Sequence, residues 1–494
     1  MFRTSLASLF LAVVIAVVAG LLLWPGVVSA QVTGAGRSDV SPAHFSSAPS
    51  DSKAAIPENA IGDAACSPAP CALPNVQVSV DPATSPVVAA FAAKPTHLLA
   101  AAASADCSGA ITAASSDGGS AWDDPGCLSG VGSTGDPAVA YGNNAVYVVG
   151  TSGTSAGSVV DLQFSNNNGA TWHPEVEAVA PIFDDGTGIT NVPWVQVDNS
   201  SSSPYANAIY VSVTQFDDAV VESEITVSHS TNGGKTWTTT TVDPVQYKPE
   251  VDQYSRLAIG LDGTVYVAWQ RCAMTGPEVN CAETTADMMI SQSSDGGNTW
   301  STPVVIATVT LVPETCGCSA FFGNVPNTDE PVANIPVLAI DNSTGEHAGN
   351  LYAVMYNWAN FQMRVQVMTS TDGGNTWGEA VYVAPAKETH DQFFPTIAVS
   401  SEGVVGVAWL DRRNDPLNVS YQPFAAASSS GGAGFGMNIA LAANLSDPYL
   451  DGRGGVYMGD YIGATWAASQ FLVTWPDTRS MEFMQDYFGG LLVK

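Results

Sequence analysis

Ser293-Ser294-Asp295-Gly296-Gly297-Asn298-Thr299-Trp300 is an eight-residue turn that recurs along the chain. Near-complete copies run from Ser115 to Trp122, Ser165 to Trp172, Ser230 to Trp237 and Ser370 to Trp377, and a decayed sixth runs from Ser428 to Phe435. The third place holds Asp117, Asn167, Asn232, Asp295 or Asp372, whose side-chain oxygen can fold back onto nearby backbone N–H groups. The Gly two residues later supplies a positive φ without a Cβ clash. The turn closes on Trp122, Trp172, Trp237, Trp300 or Trp377, large enough to anchor one sheet against its neighbour. The motif is first of all a structural device: a tight hairpin followed by a return strand.

Ahead of each turn lies an apolar strand, a short polar turn and a second apolar strand ending in an aromatic. Leu257 to Trp269 is one example, and Thr396 to Trp409 another. Both strands read as buried on two sides. Such pairs begin near Val76, Pro137, Val192, Val251, Ile335, Pro395 and Tyr461. The last unit ends after a third strand, Met481 to Phe488, and Asn75 to Val80 is placed to complete it. The expected fold is an all-β propeller of four-stranded antiparallel blades, seven in number, with six as the alternative. The third-place residues lie roughly 50 to 77 positions apart, wider than the WD40 period of about 40 to 45.

The repeat resembles the Asp box, Ser-x-Asp-x-Gly-x-Thr-Trp, of the sialidase-like propellers, the bacterial neuraminidase repeat family. The resemblance covers roughly residues 76 to 494 and speaks for fold. It implies that the turns lie on the face away from the active site, and many members of that family are not catalytic.

Residues 1 to 30 read as a secretory signal: Arg3, an apolar run from Leu6 to Trp24, and the small residues Val28-Ser29-Ala30. An uncleaved anchor is the alternative, since about 18 apolar residues can span a bilayer. Residues 31 to 75, rich in Ser, Ala, Pro and Gly, read as a low-complexity linker, and 76 to 494 as the propeller. Formal net charge is −31, a field that argues against nucleic acid and anionic membranes as partners. Only 12% of residues are charged, so the imbalance reflects scarce Lys and Arg. Eight cysteines fall in close pairs, Cys66 with Cys71, Cys107 with Cys127, Cys272 with Cys281 and Cys316 with Cys318, as expected for disulfides in an exported chain. A ring as small as Cys316-Gly317-Cys318 would be strained, so those two are open to other partners.

Chemistry is expected on the face opposite the turns, where nearly all the arginines of the folded domain collect. Arg271 follows Trp269, Asp411, Arg412 and Arg413 follow Trp409, and Asp477 and Arg479 follow Trp475. Glu250, Asp252, Tyr254 and Arg256 enter one first strand, and Asp460 and Tyr461 enter another. Sialidases hold a sugar carboxylate with three arginines, whose planar forks suit it, and use a Tyr nucleophile activated by Glu with an Asp acid. The resemblance therefore implies Arg256, Arg413 and Arg479 as the clamp, Tyr461 or Tyr254 as nucleophile, Glu250 as its partner, and Asp252 or Asp460 as acid. Tyr254-Ser255-Arg256-Leu257 resembles the Tyr-Ser-x-Leu of the family's nucleophile.

Departures stand against this. There is no Arg between Arg37 and Arg256, where the family's first clamp arginine belongs, and the Tyr-Ser-x-Leu sits in the fourth inner pair rather than the last. The plainer reading makes the Trp-x-Asp-x-Arg ends braces between blades. His390 beside Asp391 and His229 before a turn read as structural histidines. Asp184-Asp185 and Asp217-Asp218 could hold Ca²⁺ but read as solvated loop acids; zinc at Cys316 and Cys318 is the lesser alternative to a disulfide, since no His with ligand spacing lies nearby, and no cofactor is implied. The sequence points to a secreted module that binds an extracellular glycan or protein without catalysis, its oligomeric state open with a monomer as the default; the alternatives are an exo-α-sialidase-type hydrolase and a structural module of an envelope or secreted assembly.

Overall fold

The computed structural model describes residues 69–493 apart from 80–81, 105, 124–125, 134, 155–156, 182–187, 218–221, 275–280, 282–284, 316–322, 451–456 and 481–482. The leader, most of the linker, Cys66, Cys316, Cys318, Asp184, Asp185 and Asp218 lie outside these. The described residues form seven antiparallel sheets, the blades of a propeller. Blade 1 is Ala83–Ala90, Leu98–Ser104, Gly109–Ser115 and Gly126–Ser129; blade 2 is Gly135–Tyr141, Val146–Thr154, Gly157–Ser165 and Val176–Val179. Blade 3 is Gly188–Val197, Ile209–Asp217, Glu222–Ser230 and Thr238–Tyr247, and blade 4 is Glu250–Ile259, Val265–Ala273, Thr285–Ser293 and Val304–Thr310. Blade 5 is Val337–Ile340, Leu351–Ala359, Gln362–Ser370 and Val381–Tyr382, and blade 6 is Gln392–Val399, Val405–Asp411, Gln422–Ser428 and Ile439–Ala440. Blade 7 takes Gly463–Ala467, Gln470–Asp477 and Gln485–Leu492 from the end of the chain, and its outer strand from the beginning.

That closure is antiparallel. Val76 pairs with Phe488 and Gln77 with Tyr487, while Cys71 pairs with Leu492. Two expectations shift accordingly. The pair placed near Val76 does not open blade 1, whose first strand is Ala83–Ala90, because Val76 is spent on the last blade; and the final strand is Gln485–Leu492 rather than Met481 to Phe488. Closing the ring in this way ties the first and last parts of the chain into one blade.

Inner strands are apolar on both faces because each blade packs against two neighbours. Trp269, Trp409 and Trp475 lie in the second strands of blades 4, 6 and 7, all fully buried. Each near-complete turn joins the third and fourth strands of its blade. In blade 4, Ser293 Oγ accepts from Gly297 N at 2.9 Å and donates to Asp295 Oδ1 at 2.8 Å, and Asp295 Oδ1 accepts from Thr299 N at 2.9 Å. Asn232 reproduces the pattern, its Oδ1 accepting from Thr236 N at 3.0 Å. In the decayed copy Ser428 Oγ still takes Gly432 N at 3.2 Å. Gly297 has φ +89°, where a side chain would be strained and would press on His229. Disulfides join Cys107 to Cys127 and Cys272 to Cys281, as expected from proximity, and Cys71 is also disulfide-bonded.

Candidate functional site

Five of the seven first strands start with the same irregularity. The pairing with the second strand slips between Thr84 and Val87, Gly135 and Ala138, Asn191 and Trp194, Gln253 and Arg256, and Phe393 and Thr396. Inside each slip a non-glycine residue is left-handed: Ser85 (φ +51°), Asp136 (+57°), Val192 (+48°), Tyr254 (+63°) and Phe394 (+46°). Bulges re-aim side chains, and left-handed non-glycine residues cost energy that must be recovered elsewhere. These bulges lie at the end of each first strand remote from the repeated turns, ringing the propeller axis on the face that carries the blade connections.

Arg256 stands just after the blade 4 bulge and is 1% exposed. Its guanidinium lies 4.3 Å from the Trp194 ring of blade 3 and 5.1 Å from the Tyr461 ring that enters blade 7. Nη1 donates to Ser255 O at 3.0 Å, while Nε and Nη2 have no hydrogen-bond partner among the described residues. Burial lowers its pKa to about 10, so it remains charged at neutral pH. Beside it stand Asp136, in the blade 2 bulge, and Asp460. Burial raises both carboxyl groups, each opposing the other's ionisation while Arg256 favours it. The Tyr457 hydroxyl donates to Asp460 Oδ2 at 3.2 Å, Asp460 N donates to Ser85 Oγ at 3.0 Å, and the Tyr461 hydroxyl donates to Pro137 O at 2.8 Å. Strands or strand entries of blades 1, 2, 3, 4 and 7 thus meet in one polar cluster, called here the Arg256 pocket, whose Asp136, Tyr457 and Asp460 are partly exposed.

The other candidates lie elsewhere. Arg413 forks onto Asp411 (Nε 2.8 Å, Nη2 2.5 Å) and stacks 4.3 Å from the Phe424 ring. Arg479 repeats this on Asp477 (2.9 and 2.5 Å) and Tyr487 (4.1 Å). Trp409 Nε1 and Trp475 Nε1 donate to the same carboxylates. Neither arginine is joined to the Arg256 pocket by a hydrogen bond, ion pair or ring contact among the described residues. Arg271 forks onto Asp252 and also bonds Asp243; burial pushes Asp252 up to about 7 against the pull of Arg271. Arg412 is buried and donates to the carbonyls of Pro326 and Asn418. Glu250 is exposed at the start of blade 4. Tyr254 is 3% exposed and faces Asp460, Tyr356 and Asp136. Asp391 binds Met363 N and Asn418, and His229 packs on Tyr210, both structural arrangements. Among the described residues no group of three or more His, Cys, Asp or Glu could hold a metal ion.

Of the sequence candidates, the pocket brings together Arg256, Tyr461, Tyr254 and Asp460. Sequence reasoning missed Asp136, Tyr457 and Trp194. A signal for Asp136 was available: Ser85-Pro86, Asp136-Pro137, Val192-Pro193 and Phe394-Pro395 place one residue before proline at corresponding points of four blades, and the acid among them is the one inside the pocket.

No family model matches the chain, and no curated protein does. Solved structures do. A polysaccharide lyase, the ulvan lyase, superposes with TM-score 0.53 at 11% identity over 85% of this chain and 98% of its own. In fold the chain is similar to the sialidase-like propellers. A Hadza microbial sialidase matches with TM-score 0.44 at 16% identity over 81% of this chain and 75% of its own, and the intramolecular trans-sialidase of Ruminococcus gnavus with 0.44 at 10% over 66% and 89%. At these identities the likeness is one of architecture.

Proposed function

We propose that this is an exported propeller that binds an acidic glycan in the Arg256 pocket of its blade-connection face, without cleaving it. The observation that supports the reading is the cluster itself: Arg256 of blade 4, Asp136 of blade 2 and Tyr457, Asp460 and Tyr461 at the entry to blade 7 gather, and Asp136, Tyr457 and Asp460 stay partly exposed. Protonated carboxyl groups and tyrosine hydroxyls donate to sugar oxygens, and the buried guanidinium supplies a local positive charge that the −31 net charge of the chain lacks. The three-arginine clamp of a sialidase is not what supports this reading, because Arg413 and Arg479 are each engaged by an aspartate two residues away. Export follows from residues 1 to 30 as a leader, and the disulfides suit it. A monomer is the simplest state for a closed ring.

An acidic polysaccharide is the natural probe, since the ulvan lyase of similar fold is bound to GlcA(1-4)Rha3S units. Titration with a uronate oligosaccharide should give weak binding that tightens as salt rises to about 0.15 M, because screening relieves the net repulsion. Tyr457→Phe should weaken it several-fold. Equal binding by both proteins would remove the pocket from the account, and no binding to any sugar tested would favour a structural module. One observation favours a hydrolase as second reading: a pair of carboxyl groups whose pKa values burial and mutual repulsion raise is suited to general acid catalysis.

A further inference from the structure

A second opening runs along the propeller axis from the other face. Each of the seven first strands is the end strand of its sheet. Together they enclose an axial channel of about 420 Å³, within the range of about 300 to 1,000 Å³ usual for small-molecule sites. Its lining runs from Trp194 and Arg256, just beyond the bulges, to Asn199, Ser200, Leu261 and Asn342 in the turns after the first strands. The channel therefore opens on the face of the repeated turns, opposite the Arg256 pocket.

The groups it offers to a ligand are mostly polar and uncharged. A first strand pairs with the second strand on one side only, so its inner edge turns N–H and C=O groups toward the axis with no strand to receive them. Gln196 and Thr465 line the channel, are partly exposed, and have no side-chain hydrogen bond among the described residues. Both stand on innermost strands, so the open space beside them is the channel. The charged residues of the lining are Arg256 and Asp198, and neither is available. Arg256 is 1% exposed with Asp136 and Asp460 beside it. Asp198, equally buried, accepts from Ser200 N at 3.0 Å and from the Ser203 hydroxyl. Apolar surface is interleaved with these groups at the partly exposed Trp194, Ile259 and Ile340.

We propose that the channel binds a neutral mono- or disaccharide, hydrogen-bonded by Gln196, Thr465 and the strand edges, with the C–H faces of its rings against Trp194, Ile259 and Ile340. A sugar hydroxyl both donates and accepts, as a strand edge and a side-chain amide do. A charged ligand would meet no accessible counter-charge, and an aliphatic one would leave the strand edges and Gln196 unpaired. This site is separate from the acidic-glycan pocket in face and in chemistry.

Calorimetric titration of the full chain with glucose, cellobiose and cyclohexanol tests this. At least one of the two sugars should bind, and about tenfold more tightly than cyclohexanol, which has a ring but a single hydroxyl. Gln196→Met and Thr465→Val keep the bulk of the side chains. Each should weaken that sugar about fivefold, the effect of one lost neutral hydrogen bond, and leave uronate binding unchanged. Tyr457→Phe, in the Arg256 pocket, should do the reverse. Should one channel variant not fold, the other decides. Failure of both sugars to bind, cyclohexanol binding as tightly as the sugar, or sugar binding undiminished by the channel variants would overturn the inference. Because the neutral sugar and the uronate respond to different variants, failure of the channel and failure of the proposed function read out separately.

Discussion

Arg479 Nη1 donates to Asn75 Oδ1 at 3.0 Å across 404 residues of sequence. Asn75 Nδ2 passes the link on to Leu441 O, just beyond the outer strand of blade 6, at 2.7 Å. One blade earlier the relay recurs: Arg413 Nη1 donates to Asn438 Oδ1 at 3.1 Å, and Asn438 Nδ2 to Val383 O, just beyond the outer strand of blade 5, at 3.1 Å. Each Trp-x-Asp-x-Arg end is therefore a clasp that ties a blade's own aspartate and arginine to the outer edge of the preceding blade. In blade 7 the asparagine comes from the beginning of the chain, so the clasp also locks the ring.

Removing that asparagine should loosen the closure. Asn75→Ala is expected to lower stability by about 1 kcal/mol, the usual worth of a hydrogen bond to a charged partner with some relaxation. Val76 and Gln77 should lose amide-exchange protection before other blades do. Arg479→Met removes the fork as well and strands Asp477, which is 1% exposed, so about 2 to 4 kcal/mol is expected. Denaturant unfolding with exchange readout checks both, and uniform loss of protection round the ring would refute the locking role.

The repeated turns should matter for folding alone. Asp295→Ala removes acceptors for Asn298 N, Thr299 N and the Thr299 hydroxyl, and should cost about 1 kcal/mol. Glycan affinity should not change, since the turn lies on the opposite face. A loss of affinity at unchanged melting temperature would mean that the working face has been misplaced.

Stability should peak in mild acid. Asp136, Asp460 and Asp486 are held above the ordinary carboxylate value chiefly by burial, and Asp252 is pushed up to about 7. Between about pH 4, where the unfolded chain releases these protons, and about pH 7, the folded state holds more protons, so stability falls as pH rises. Asp295 and Asp372 act oppositely: hydrogen bonds from Thr299 and Thr376 hold them near 2, and their contribution is lost as pH falls from about 4 toward 2. Calorimetric melting from pH 3 to 8 should show a maximum near pH 4 to 5, with a shallower alkaline slope in Asp136→Asn. A midpoint that climbs steadily to pH 8 would contradict the assignment.

The fold was legible because the repeated turn is local: Ser, Asp, Gly and Trp act within eight residues, and the apolar inner pairs follow from burial on two faces. The stretch from Val76 reads both as the opening of blade 1 and as the strand that completes the last blade; the second role holds, and blade 1 opens at Ala83. Arg256, Asp460 and Tyr461 were visible as polar residues entering apolar strands. Asp136 was marked only by its place before a proline, where other blades have Ser85, Val192 and Phe394; that Asp460 and Arg256 come beside it across blades is not legible in spacing. Arg413 and Arg479 looked available as ligands, yet each is spent on an aspartate two positions earlier. The repeated Trp-x-Asp-x-Arg spacing already held that brace.

Binding without turnover is the central claim, and a single assay addresses it. A fluorogenic sialoside and a uronate polysaccharide, each incubated with the protein between about pH 4 and 7, should show no cleavage, while the uronate oligosaccharide binds wild type and binds Tyr457→Phe and Asp136→Asn more weakly. Turnover by wild type that vanishes in folded Tyr461→Phe and Asp136→Asn variants would contradict the account and make the pocket a hydrolytic centre.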